Sequence, residues 1–235
     1  SLALALCARR EFGRVLLWDA DFGLANCDIL LDVAPERTIA DVLRGRVPLE
    51  EAIVAGPGGI DVLPAGSGVR EAVEPNAAQR ARLREVFERL RSGYEIVVID
   101  GAAGIGENVI TLALWADAVL LVTTPEVPAV ADAYATLKVL CQAGRNAGIH
   151  LLVNMARDAA EADRVAARVS AVAARFLGMQ LPIAGWVPLD AHVTQAVRAR
   201  VPFSLAAPAC PAAAAIGAVW ARIGPAAPVA AGGGA

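Results

Sequence analysis

Val15-Leu16-Leu17-Trp18 runs without a break into Asp19-Ala20-Asp21. Four apolar residues in succession, with no polar alternation, suit a strand buried on both faces of a parallel sheet. In open α/β sheets ligands bind just beyond the carboxyl ends of the strands. Asp19 and Asp21 fall there, and Phe22-Gly23-Leu24-Ala25-Asn26 follows them. Taken alone, Asp-x-Asp at such a place has two readings. It shapes a turn by bonding its own backbone, or it serves a ligand.

A second strand ends in the same way. Ile96-Val97-Val98-Ile99 is β-branched throughout and delivers Asp100, followed by Gly101-Ala102-Ala103-Gly104. Two buried strands with acids at their tips point to a site for a metal ion and phosphates. Magnesium takes hard oxygen ligands and keeps several waters, so Asp19 and Asp100 are the candidate metal residues, acting directly or through water. Gly104 would let backbone approach a phosphate closely.

The rest of the chain alternates strand and helix patterns. Expected strands are Ile60–Pro64, Ala118–Thr123, His150–Val153 and Ile183–Val187; Pro48–Ala55 is expected to be helical. Asn76–Arg91 is an amphipathic helix with Leu83, Val86, Phe87 and Leu90 on one face and Arg80, Arg82, Arg84, Arg89 and Arg91 around it. The arginines form a solvated face or a docking surface for an acidic partner or DNA. Alternation of this kind predicts an α/β fold with a mostly parallel sheet and helices on both faces. The chain is long enough for one such domain, expected over 1–223, with the Gly/Ala/Pro-rich 224–235 a disordered tail.

Bulk properties exclude several classes. No apolar run reaches the ~18–20 residues that span a bilayer, and no signal peptide is expected, which places the chain in the cytoplasm, with peripheral inner-membrane association as an option. The final helix carries an apolar stripe of Ile216, Val219, Trp220 and Ile223 but one cation, Arg222, so it is expected to pack on the domain. A formal charge of −3 gives no general attraction to nucleic acid. Cys7, Cys27, Cys141 and Cys210 include no CxxC pair, and with only His150 and His192 there is little material for a zinc site or a histidine triad.

The string Asp19-Ala-Asp-Phe-Gly-Leu-Ala-Asn26 resembles the switch I segment of the MinD/ParA family of deviant-Walker P-loop ATPases. Ile99-Asp100-Gly-Ala-Ala-Gly104 resembles its Walker B segment, although Gly101 stands where Ser or Thr is commoner. Thr123-Thr124-Pro125-Glu126 with Asp132-Ala133-Tyr134, and Ala196-Val197-Arg198 through Pro202-Phe203, resemble the FlhG branch, which controls flagellar number and placement. The resemblance runs from Leu2 to about Phe203. It implies ATP and Mg2+ as cofactors, hydrolysis to ADP and phosphate, and an ATP-dependent homodimer read by a protein partner. It makes Asp21 the residue that orients the attacking water and places Thr124 at a strand end near the nucleotide, with Asp132 near the dimer interface. Asn154, Pro188 and Asp190 would form the adenine pocket.

The family's Lys-Gly-Gly-x-Gly-Lys-Thr loop, expected shortly before Leu2, does not occur in the sequence, whose only lysine is Lys138. The P-loop NTPase-like (SIMIBI-type) fold is therefore expected to lack its first strand and phosphate loop here, through truncation of an ATPase. Two rivals remain: a non-hydrolysing interaction scaffold that lost the loop, and a ParA-type partitioning ATPase using the arginine helix on DNA.

Overall fold

The computed structural model describes residues 1–23, 35–66 and 77–226. Strand β1 (Val15–Ala20) is buried along its whole length, as its apolar run requires. It extends two residues beyond the apolar tetrad, so Asp19 lies inside the strand. β1 pairs in parallel with β3 (Asp61–Leu63) on one side and with β4 (Ile96–Gly101) on the other. The segment expected to be one helix, Pro48–Ala55, is divided. A single helical turn, Leu49–Ala52, precedes β2 (Val54–Ala55), which pairs antiparallel with β3. Gly56 donates its N–H to the Ile60 carbonyl at 2.8 Å, closing the turn between those two strands.

Among the described residues the strands form two sheets. One has the order β2-β3-β1-β4. The other joins β5 (Val119–Thr123), β6 (Ile149–Ala156) and β7 (Ile183–Pro188), all parallel. Among the described residues β4 and β5 are each paired on one side only. All pairings except β2–β3 are parallel, as the βαβ alternation predicts.

Helices cover both faces. On one side of β1, Leu16 and Trp18 meet Leu83, Val86, Phe87 and Leu90 of α4 (Ala77–Gly93), with α2 (Ile39–Leu43) and α3 (Leu49–Ala52) completing the layer. On the other, Val15 and Leu17 meet α1 (Leu2–Ala8), Phe12 and Trp220. Each such fully buried leucine contributes about 1.5–3 kcal/mol relative to exposure. α5 (Glu107–Trp115) links β4 to β5. α6 (Val127–Gln142) and α7 (Ala159–Leu177) pack on one face of the second sheet.

After β7 come α8 (Ala191–Arg198), the single turn α9 (Phe203–Ala206) and α10 (Pro211–Ile223). The apolar stripe of α10 is absorbed by the core, as expected: Val219 and Ile216 lie against Leu152, Ala184 and Val187 of the second sheet. Trp220 meets Phe12 edge-on at 6.1 Å and donates to Glu11 Oε1 at 3.2 Å, so α10 braces α1. No helix among the described residues is long and apolar enough to cross a membrane. The expectations for Leu24-Ala25-Asn26, Cys27 and residues 227–235 of the tail fall outside the described residues.

Candidate functional site

The register of the first sheet sets the acids side by side. Asp19 pairs with Asp100 and Ala20 with Gly101, so both carboxylates leave neighbouring parallel strands at the same level. Asp19 is 2% exposed. Its Oδ1 accepts the Asp21 N–H at 3.1 Å, and Asp21 Oδ1 accepts the Gly23 N–H at 3.1 Å. The Asp-x-Asp string thus does shape a turn, which is the reading open from sequence alone. That turn lifts Asp21 away from the buried Asp19 into a half-buried position, leaving the two acids in different surroundings.

A residue not anticipated from sequence joins them. Ser1, preceding α1, donates its hydroxyl to Asp100 Oδ1 at 2.5 Å. No sequence signal links positions 99 residues apart; only the packing of α1 across the sheet does. Gly104 has φ +96, a conformation that side chains resist, and nothing lies within 4 Å of where a Cβ would sit. Its backbone is open to a close approach.

The remaining candidates stand at the carboxyl ends of the second sheet. Thr123 pairs with Val153, so Thr124 and Asn154 emerge from adjacent strands. The Thr124 hydroxyl bonds the Glu126 carboxylate. Asn154 does not end its strand as expected: β6 continues to Ala156 through an irregularity after Val153, with Met155 at φ 58. Asn154 Oδ1 accepts the Met155 N–H at 3.0 Å, which leaves its amide NH2 pointing away from that bond. Ala156 pairs with Pro188, so the ends of β6 and β7 lie next to each other, with Asn154 two residues before that end. Asp132 is exposed on α6.

Asp190 is placed differently from the others. Its carboxylate caps α8, with Oδ1 accepting from the His192 N–H at 2.9 Å, and it reaches α10, with Oδ2 accepting from the Ala212 N–H at 3.0 Å. Those backbone donors, Ala212 first and His192 next, hold it well below the usual carboxylate range against the opposing effect of burial. The structure therefore sets Asp19 beside Asp100 in one sheet, with Asp21 and Gly104 in the segments after their strands, and places Thr124, Asn154 and Pro188 at the carboxyl ends of the other. The side chain of Asp190 turns toward α10.

The donor set at the first cluster suits magnesium: two carboxylates near the ends of adjacent strands offer hard oxygens. The open backbone at Gly104 suits a phosphate oxygen. No residue of the sequence supplies the Gly-Lys-Ser/Thr element of a phosphate loop.

No family model matches the chain. The chain is 39% identical over 199 residues to the antiactivator FleN of Pseudomonas aeruginosa, covering 84% of this chain and 70% of that protein. It is 30% identical over 227 residues to an uncharacterised ATP-binding protein of Methanocaldococcus jannaschii, covering 95% and 80%. Its fold matches the septum site-determining protein MinD of Pyrococcus horikoshii, a structure complexed with Mg-ADP, at a TM-score of 0.73 with 24% identity, over 93% of this chain and 85% of that one. With acids at paired strand tips and this degree of likeness over most of its length, the chain belongs to the MinD/ParA family of P-loop ATPases, on the FlhG/FleN branch.

Proposed function

We propose that the protein is an ATP-dependent dimerisation switch that hydrolyses ATP to ADP and phosphate and regulates flagellar number or placement. The observation that carries this reading is the paired Asp19 and Asp100, with Asp21 one turn beyond, in a chain 39% identical to FleN. Asp19 and Asp100 would hold Mg2+ through its water shell. The ion supplies charge neutralisation on the phosphates when bound. Asp21, more exposed than Asp19 and anchored to the Gly23 N–H, would orient an attacking water. Gly104 lets its backbone close on the terminal phosphate. Thr124 serves a strand-end hydroxyl near the nucleotide. Asn154 reads the base edge through its amide, with Pro188 closing over the ring and Asp190 fixing the turn that carries it.

Hydrolysis also needs a cationic phosphate cradle, which residues 1–235 do not contain as a Gly-Lys-Ser/Thr string. The rival reading is a non-hydrolysing interaction scaffold. Expression from the complete reading frame, followed by light-scattering mass measurement with ATP and with ADP, separates the two. The switch predicts a dimer with ATP and a monomer with ADP. Asp21→Ala should retain the ATP dimer while turnover falls at least ~100-fold. A protein that binds no nucleotide and keeps one mass in all conditions is the scaffold.

A further inference from the structure

Three side chains outside the acid cluster converge from two places in the chain. Asp190 lies in the turn after β7, His192 in the first turn of α8, and Cys210 immediately before α10. One potential ligand atom from each lies within 4.8 Å of the others. His192 Nδ1 is 2.7 Å from Asp190 Oδ1. Cys210 is 5% exposed and the Asp190 side chain 5%, whereas the His192 side chain is 54% exposed, so the cluster is closed beneath and open above. We infer that Asp190, His192 and Cys210 form a zinc-binding site.

The donor chemistry selects the metal. A thiolate, an imidazole and a carboxylate suit Zn2+ and are poorly matched to Mg2+, which takes oxygens. Tetrahedral zinc would set such ligand atoms about 3.3–3.7 Å apart. His192 Nδ1 and Asp190 Oδ1 are closer than that at 2.7 Å, so the metal would replace this hydrogen bond. Three protein ligands and an open fourth place for water is a common arrangement. Backbone hydrogen bonds hold two of the ligand side chains in place. Cys210 Sγ accepts the Ala213 N–H at 3.4 Å, and both Asp190 oxygens accept backbone N–H groups. Such outer bonds orient ligands and stabilise their anionic forms.

Capping alone accounts less well for the cysteine. Cys210 occupies the N-cap of α10, where Ser, Thr, Asp and Asn are the effective residues and sulfur is a weak acceptor. A sulfur ligand explains that choice. Bound zinc would clamp the turn after β7 to the start of α10.

The test uses the purified chain without nucleotide, so its outcome is independent of the switch reading. Zn2+ is titrated against a competing chromophoric chelator, and Co2+ serves as the spectroscopic probe. The expected result is one Zn2+ per chain, unaffected by millimolar Mg2+, with a thiolate-to-cobalt charge-transfer band. Cys210→Ser keeps the cap and should abolish that band. His192→Ala, at an exposed position, should weaken Zn2+ binding at least ~10-fold with the thermal midpoint of the metal-free chain unchanged. Absence of stoichiometric zinc, or binding that persists equally in both variants, overturns the site.

Discussion

Asp190 does at residue scale what its neighbours in the sequence do not announce. Its carboxylate is held below the ordinary range by the Ala212 and His192 N–H groups, so the unfolded chain binds a proton there before the folded one does. Its contribution to stability is complete above about pH 4, the unfolded value, and is lost as pH falls below it. With metal chelated, the melting temperature should drop less steeply between pH 4 and 2 in Asp190→Asn than in the parent. Tyr94 shows the opposite sign. Burial, then the bond from its hydroxyl to Asp61 Oδ2 at 2.8 Å, push the phenol up to about 12. Its stabilising bond is intact below about pH 10 and lost as pH rises toward 12. Ultraviolet titration should show a late phenol that disappears in Tyr94→Phe. Trp18 presents a third case. It is 0% exposed and its Nε1 has no acceptor among the described residues. Trp18→Phe removes a donor whose desolvation costs about 1–3 kcal/mol, which offsets the smaller ring. Urea unfolding should place it within ~1 kcal/mol of the parent, against a loss of about 3–5 kcal/mol for Trp18→Ala.

At the scale of elements, the legible parts were those in which side-chain pattern and burial agree. β1, β4 and α4 each announce themselves by an apolar run or a helical stripe, and Asp19 and Asp100 follow from where those runs stop. Pro48–Ala55 reads as one helix because eight residues are too short a stretch for periodicity to separate a helical turn from the strand that follows it. Val54 becomes a strand only because β3 is there to pair with it. Asn154 was placed at a strand end because nothing local signals that β6 passes through a left-handed residue at Met155. The turn of Asp190 toward Ala212 was hidden for a different reason: its partner lies 22 residues away on another helix. The one-sided pairing of β4 and β5 among the described residues has its own consequence. Val122, mid-strand in β5, is 49% exposed, and edge strands offer unpaired N–H and C=O groups to other chains. Residues 1–235 should self-associate with rising concentration. Val122→Lys should reduce the scattering while changing stability by less than ~0.5 kcal/mol. Unchanged scattering would place the contact elsewhere.

Across the whole molecule, the question left by the sequence was whether the arginine helix meets DNA. In the fold its cations stay on the surface but pair with acids and neighbouring groups of the protein itself. Arg80 pairs with Glu107 at 3.5 Å, Arg84 with Glu88 at 2.9 Å, and Arg89 with Glu50. Arg84 also lies over the Trp115 ring at 4.9 Å, and Arg82 donates to the Leu43 carbonyl at 2.9 Å. Arg91 is 3.9 Å from Glu88, which it shares with Arg84. These contacts join α4 to α2, α3 and α5, so the arginines tie that layer together. Exposed pairs of this kind are worth only about 0.2–1 kcal/mol each, and a polyphosphate could in principle draw the cations away. It would have to do so from a chain with a net charge of −3 and with acids interleaved among the arginines. A DNA surface built on this helix predicts that each lost phosphate contact lowers the salt dependence of binding by roughly 0.9 in log–log slope. The paired arrangement predicts no such change. Arg84→Ala combined with Arg89→Ala should leave retention on DNA and its salt slope as they are, while slightly lowering the melting temperature through the lost Trp115 and Glu50 contacts. A reduced slope with unchanged melting would instead return the helix to the DNA and favour the partitioning type of ATPase over the flagellar one.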